Sequence, residues 1–393
     1  MKHNRKKLGL IWKVLIAIAL GIGLGLFMPG WMVRIFVTFN FVFGQFISFF
    51  VPLIILMLVT AAIADTKNGA GKMLVWTLVL VYGSTFLAGL VAYGVGDLCF
   101  PRMISPGGID TVGGGRHFDP YFEIGIPPVM DVISALVLAF ILGLGILKLK
   151  GNQMHDLALE LRDIVTMALM KSIVPLLPVY IFGIFLNMTA EGSVAMILGV
   201  FVKVILIVFG LSLVWLLGLY GVAGLVGGKN PIRSLIKMLP AYVTALATAS
   251  SAATIPVTLR QAKELGVDEK VAEFTVPLCA NVHLSGSAIK IVSFSVAVMV
   301  MQGMSYDMGT MVAFIGLLGI TMVAAPGVPG GAIMAAVSLL SSVLGFGKEE
   351  IALMISIYIA VDSFGTACNV TGDGAITIII DRIVKRGAKE ITE

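Results

Sequence analysis

Apolar residues in this chain fill whole segments instead of marking one face of an element. Such segments run over about residues 9–28, 38–64, 73–99, 129–148, 164–188 and 194–226, parted by polar or Pro/Gly-containing joints. Each is long enough to cross about 30 Å of hydrocarbon as a helix. Beyond Lys237 the pattern changes, because polar and helix-breaking residues enter apolar stretches at Thr244–Pro256, Asn281–Ser287 and Ala324–Gly331. Non-helical backbone at membrane depth is tolerated only where protein buries it or a cavity solvates it. The breaks therefore predict a site built from interrupted helices.

The charge of the joints orients these segments. Lys and Arg concentrate in the N-terminus, Asp65–Lys72, Lys148–Arg162 and Lys229–Lys237, whereas Asp97–Glu123 and Thr189–Gly192 are acidic or mixed. Positive loops stay inside, so the N-terminus is predicted to be cytoplasmic, and the basic Asp381–Lys389 places the C-terminus there too. Thr244–Pro256 lies between Lys229–Lys237 and Arg260–Lys270, both of inner-side character, so it must enter and return on one side. It reads as a re-entrant hairpin. Pro326–Gly331, between the weakly charged Met301–Gly309 and the net negative Gly345–Glu350, reads as a second hairpin from outside, and the two halves of the distal region repeat each other inverted. The first apolar run, reaching Met28, exceeds the roughly 7–15-residue core of a signal peptide and is read as a span.

Composition gives the same class. The chain is 58% hydrophobic and 12% charged, with a mean hydropathy of +1.03, where a soluble domain carries about 25% charged residues. Its 393 residues hold roughly eight spans plus half-length segments. An all-α membrane protein of eight transmembrane helices and two re-entrant hairpins is predicted, with the lipid membrane as a partner. The net charge of +5 sits at segment ends without interleaved aromatics, which excludes a nucleic-acid surface. Cys99, Cys279 and Cys368 read as free thiols. No Cys/His spacing suits a metal, and Gly113–Gly115 lacks the strand and helix of a phosphate loop, so no cofactor is expected.

Within the last apolar segment stand two carboxylates, Asp362 and Asp373. Each costs roughly 2.5–3.5 kcal/mol at the bilayer centre unless compensated. They are eleven residues apart, close to three helical turns, so both fall on nearly one face together with Thr366 and Asn369. That face is predicted to line a polar cavity.

Ser250–Thr258 (Ser-Ser-Ala-Ala-Thr-Ile-Pro-Val-Thr), Pro326–Gly330 (Pro-Gly-Val-Pro-Gly) and Asn369–Asp373 (Asn-Val-Thr-Gly-Asp), in this order and spacing, resemble the dicarboxylate/amino acid:cation symporter family of glutamate transporters and neutral amino-acid exchangers. The resemblance covers most of the chain and is tightest from about Thr244 to Ile383. It implies a homotrimer with elevator movement. Residues 1–237 would be mainly scaffold, contributing spans three and six to the moving part, and residues 238–393 the transport core. The substrate carboxylate would be held at Ser250 and Ser251 and by Asn369, and the ammonium by Asp362. Ser287, Gly365 and Thr366 would complete the substrate site, with Gly327, Val328, Pro329 and Gly330 in the second hairpin as outer gate. Asp373, with Asn369 and backbone carbonyls such as that of Cys279, would hold a sodium ion in hard oxygen ligands.

Several residues depart from that family. Pro277–Ser287 aligns with Pro-Leu-Gly-Ala-Thr-Ile-Asn-Met-Asp-Gly-Thr, putting His283 on a sodium-site asparagine and Ser285 on a sodium-site aspartate. Ser84 keeps its family type, but Leu80 and Gly83 replace a tyrosine and a threonine of the same deep ion site. A histidine, titrating near pH 6.5, could itself carry the charge beside Asp373. Coupling therefore reads either as sodium at fewer sites or as protons through His283 and Asp373. Lys290 is a second candidate counter-charge, unless it snorkels to the interface. Gly365 stands where acidic-substrate members have an arginine that grips a side-chain carboxylate. It leaves space for a larger or apolar side chain, with Phe364 as a candidate wall.

The sequence thus predicts a secondary transporter of a neutral amino acid in an inner, cytoplasmic-type membrane, not an enzyme. The rival is an acidic amino-acid or C4-dicarboxylate symporter whose missing arginine comes from elsewhere in the chain. A channel would show repeated pore motifs, which are not visible. An intramembrane hydrolase would need Ser285 and His283 to face each other, and two residues apart on a helix they do not.

Overall fold

The computed structural model describes residues 10–64, 71–104, 118–130, 132–192, 194–323, 325 and 330–390, and no strand occurs among them. The proximal half comprises α1 (Leu10–Gly25), α2 (Gly30–Ala64), α3 (Gly71–Met103), α4 (Val132–Lys148), α5 (Gln153–Ala168), α6 (Val174–Ala190) and α7 (Val194–Gly227). After a short α8 (Pro231–Lys237) come α9 (Leu239–Thr248), α10 (Ser251–Glu264), α11 (Glu269–Val282) and α12 (Ser285–Gln302). The chain closes with α13 (Met308–Val323), α14 (Gly331–Ser342), α15 (Lys348–Ala360) and α16 (Asp362–Glu390). Among the described residues five helices are long and apolar enough to cross a membrane, and a bent pair, α15 with α16, makes a sixth.

Proximal boundaries differ from the apolar segments chiefly at two places: α2 begins at Gly30, ahead of the apolar run from 38, and the joint after α4 is helical. The polar stretch Lys148–Arg162, read as a loop, is mostly helix α5, which runs through a π turn at Leu169–Ile173 into α6. Its charged residues sit on an exposed face, so the helix needs no unbroken apolar run.

Small residues let α1 approach α6 closely. A Cβ on Gly21 would lie 2.7 Å from the Phe182 carbonyl oxygen, and one on Gly25 would lie 2.5 Å from the Thr189 Cβ. Gly21→Leu is expected to destabilise this pair by about 1–3 kcal/mol through overpacking. Thermal unfolding in detergent should shift downward while the substrate KM of the surviving protein stays unchanged.

The distal half is where breaks replace straight spans. Helices α9 and α10 pack on each other, and at about 1.5 Å per residue neither crosses the bilayer. Ala249 turns the chain between them with φ 49°, and the Ser250 hydroxyl oxygen caps α10 by accepting from Ala253 N–H at 3.3 Å. Helix α13 packs on α14 in the same way, with Gly330 at φ 79° preceding α14. The tip residues Pro326–Pro329, including the predicted Gly327, Val328 and Pro329, lie outside the described residues.

The two remaining breaks are internal to spans. Helix α11 ends at Val282 and α12 begins at Ser285, leaving His283 and Leu284 non-helical. The most apolar window of Glu269–Gln302 is 94% buried by protein, against 33% for Ile197–Gly227, so α12 is an inner shaft and not a lipid-facing helix. At Val361 the chain bends by 63° between α15 and α16, directly before the polar Asp362–Asp373 run and without a glycine or proline to mark the place.

Candidate functional site

The broken ends meet. A small cavity is lined by Ser251 from the α10 N-terminus, Ser287 from α12, Ala332 from α14 and Asp362, Thr366 and Asn369 from α16. Asp362, Thr366 and Asn369 of the last apolar face thus meet the first hairpin tip, whereas Asp373, expected on the same face, does not line this cavity and lies instead against His283. A larger cavity elsewhere, beside Asn40, Tyr180, Asn187 and Lys348, touches neither Asp362 nor Asp373.

An interrupted helix exposes backbone donors at its new N-terminus. Leu284 has no side chain that can cap α12, and Asn369 of α16 does so from outside. Its Oδ1 accepts from Gly286 N–H at 2.8 Å and Ser287 N–H at 3.4 Å, while its Nδ2 donates to Ser287 Oγ at 3.1 Å. The Tyr358 hydroxyl donates to the same Oγ at 2.9 Å. Asn369 is therefore first a clamp between α12 and α16, with its remaining capacity facing the cavity. Gly286 permits the close crossing, since a Cβ there would lie 2.7 Å from the Gly365 carbonyl oxygen.

Asp362 does not stand as a bare carboxylate awaiting an ammonium. Lys290 Nζ donates to its Oδ1 at 3.0 Å and Gly330 N–H donates to its Oδ2 at 2.7 Å. Lys290 is 1% exposed, so it is no snorkelling side chain, and it serves Asp362 and not Asp373. Its ammonium also lies 3.7 Å from the centroid of the Tyr358 ring, a cation–π contact. Nor is the space beside Gly365 vacant for a substrate side chain: a Cβ there would fall on Lys290 Cε and within 2.5 Å of its Nζ. Phe364 turns away from the cavity, 40% exposed, against Phe209 with ring centroids 4.3 Å apart. It forms no wall of the site.

Around Asp373 the second acid–base pair assembles. His283 Nδ1 lies 2.9 Å from Asp373 Oδ1, and its Nε2 lies 3.0 Å from Ser84 Oγ. The backbone N–H of His283 donates to the Cys279 carbonyl at 2.8 Å, which leaves the ring free to turn toward α16. Gly372 admits it, because a Cβ there would stand 2.8 Å from His283 Cε1. A hydroxyl can donate or accept. The Ser84 hydroxyl thus fits the neutral imidazole and the imidazolium equally. Asp373 Oδ2 and Ser285 Oγ are buried and make no hydrogen bond among the described residues.

Thr366 donates to the Asp362 carbonyl at 3.1 Å and lines the cavity, as predicted. Tyr358 was missed, although a tyrosine within an apolar segment needs a partner for its hydroxyl and could have been flagged on that ground.

The profile described as the sodium:dicarboxylate symporter family matches residues 10–383. The chain belongs to that family. Among relatives of this symporter is the serine/threonine transporter SstT of Acinetobacter baumannii (strain AYE), 26% identical over 394 residues, or 95% of this chain and 97% of the relative. SstT of Streptococcus agalactiae is 27% identical over 399 residues, covering 96% and 97%. Excitatory amino acid transporter 3 of Mus musculus is 28% identical over 268 residues, 67% of this chain and 50% of that protein. The family is one of cation-coupled transporters, and this symporter is a transporter, not an enzyme.

Proposed function

We propose that this symporter carries a small neutral amino acid. One observation carries the reading: the cavity presents the carboxylate of Asp362 and polar groups, but among the described residues no Lys or Arg lines it, and the Lys290 ammonium behind it is committed to Asp362. An acidic side chain would be desolvated there without a partner, at a cost its other contacts could not offset. The ammonium joins the Asp362 carboxylate, whose oxygens still have unused lone pairs. The carboxylate is received at the N-terminus of α10, at Ser250 and Ser251, beside Asn369. Two relatives that match nearly the whole chain bear the name serine/threonine transporter, which agrees with a neutral substrate.

The coupling cation is a proton held between His283 and Asp373. A second reading is sodium at the free Asp373 Oδ2, supported by the unpartnered Ser285 Oγ beside the same break. Transport proceeds by elevator movement of residues 238–393 with spans three and six, within a homotrimer of eight-span subunits whose termini face the cytoplasm of an inner membrane.

Purified protein in liposomes, given an amino-acid panel under separately imposed proton and sodium gradients, tests the reading. Serine, threonine or alanine should enter with the proton gradient, and aspartate at least about 100-fold more slowly, the scale of one unpaired buried charge. Sodium-dependent aspartate uptake would overturn the neutral-substrate assignment.

A further inference from the structure

The amine-binding carboxylate of this site is already neutralised from within the chain. Lys290 and Asp362 are both buried, paired at 3.0 Å, and the carboxylate's other oxygen takes the Gly330 N–H at 2.7 Å. The arrangement is built into two helices at once, since Lys290 of α12 can reach Asp362 only across the bare Cα of Gly365 in α16. Without Lys290, a ligand lacking a cation would leave a buried carboxylate uncompensated, and the site would select amines strictly. With Lys290 in place that penalty disappears. A neutral hydroxyl donor then satisfies the remaining lone pairs of Asp362, as an ammonium does.

We propose that the cavity also accepts small 2-hydroxy monocarboxylic acids, a second substrate class beside amino acids, and that Lys290 is the positioning residue that admits them. The ligand's carboxylate takes the place proposed for that of the amino acid, so the inference rests on that reading of the cavity. Its hydroxyl donates to Asp362, and Lys290 acts through Asp362 without touching the ligand. Gly365 is the companion position: a methyl group there pushes the ammonium off the carboxylate.

L-Alanine, L-lactate and propionate share one carbon skeleton and differ only in bearing an ammonium, a hydroxyl or a hydrogen at C2. Their binding to the purified wild-type protein, read as ligand-induced thermal shifts across a concentration series, gives three dissociation constants. Lactate is expected within about tenfold of alanine, and propionate at least about tenfold weaker than lactate, the scale of one lost hydrogen bond to a charged group. In Lys290→Met the lactate-to-alanine ratio should widen at least tenfold, and Gly365→Ala should widen it in the same direction. Lys290→Arg should stay near the wild-type ratio. Lactate binding more than about 1000-fold weaker than alanine in the wild type overturns the proposal, with no variant required. So does a ratio unchanged in the folded Lys290→Met or Gly365→Ala protein. Should alanine and every other amino acid fail to bind while lactate binds, the amino-acid reading falls and the hydroxy-acid inference stands.

Discussion

Asp362→Ala is expected to abolish uptake and to destabilise the protein at the same time. The substitution removes the acceptor proposed for the ammonium and frees Gly330 N–H at the second hairpin. It also leaves the Lys290 ammonium, 1% exposed, without its carboxylate. Breaking a buried pair from one side costs about 3–5 kcal/mol, most of it the stranded charge. The two consequences separate in the double variant Asp362→Ala/Lys290→Met, which removes both charges. Its thermal midpoint should recover most of the loss, because an apolar replacement of a buried pair is often neutral in stability, while uptake stays undetectable. Radiolabelled uptake with thermal unfolding of the same preparations reads both. A double variant that transports would remove Asp362 from the substrate site.

The second large effect is expected at His283. His283→Asn is close in size and keeps a hydrogen-bonding group near Asp373, but an amide does not titrate. Proton-driven uptake should fall at least about 100-fold, and the residual rate should lose its dependence on external pH between about 5 and 8, the range in which histidine ordinarily titrates. Ser84→Ala should have a smaller effect of the same kind, because it removes one of the two groups that orient the ring. If the asparagine variant retains the wild-type pH profile and rate, His283 is a structural residue and the coupling cation is elsewhere.

Much of this site was legible in the sequence because membrane insertion makes polar residues costly. The His283–Leu284 break, the Ala249–Ser250 turn and the shared face of Asp362, Thr366 and Asn369 all appear as polar residues in apolar segments, and Asp373 on the same helix turns to His283 outside the cavity. What was not legible depends on how helices cross. Lys290 and Asp362 are 72 residues apart, and no periodicity in either helix says which carboxylate the lysine meets. The answer lies in the glycines: Gly365 opens a path for Lys290 and Gly372 one for His283, so what looks like ordinary close packing sorts two basic side chains onto two acids. The bend at Val361 falls at the start of the polar Asp362–Asp373 run, but its exact place had no glycine or proline to mark it, since Ile-Ala-Val-Asp contains neither. Helix α5 was misread as a loop because its polarity is that of a surface helix.

The two pairs give the site a common logic. Where the family resemblance supplies an arginine and a sodium-site asparagine, this chain has Gly365 and His283, and side chains of its own meet both carboxylates, the Lys290 ammonium at Asp362 and the His283 imidazole at Asp373. On the proposed reading Lys290 stays with the protein as a fixed counter-charge, whereas His283 carries the coupling proton. Fixed and exchangeable cations would then divide between the substrate end and the coupling end of α16.

Luminal pH in sodium-free proteoliposomes tests that division most directly. With a pH-sensitive dye trapped inside and no gradient imposed, adding external alanine should acidify the lumen saturably, and the His283→Asn protein should give no acidification. Alanine uptake that requires sodium and leaves luminal pH unchanged would contradict the account.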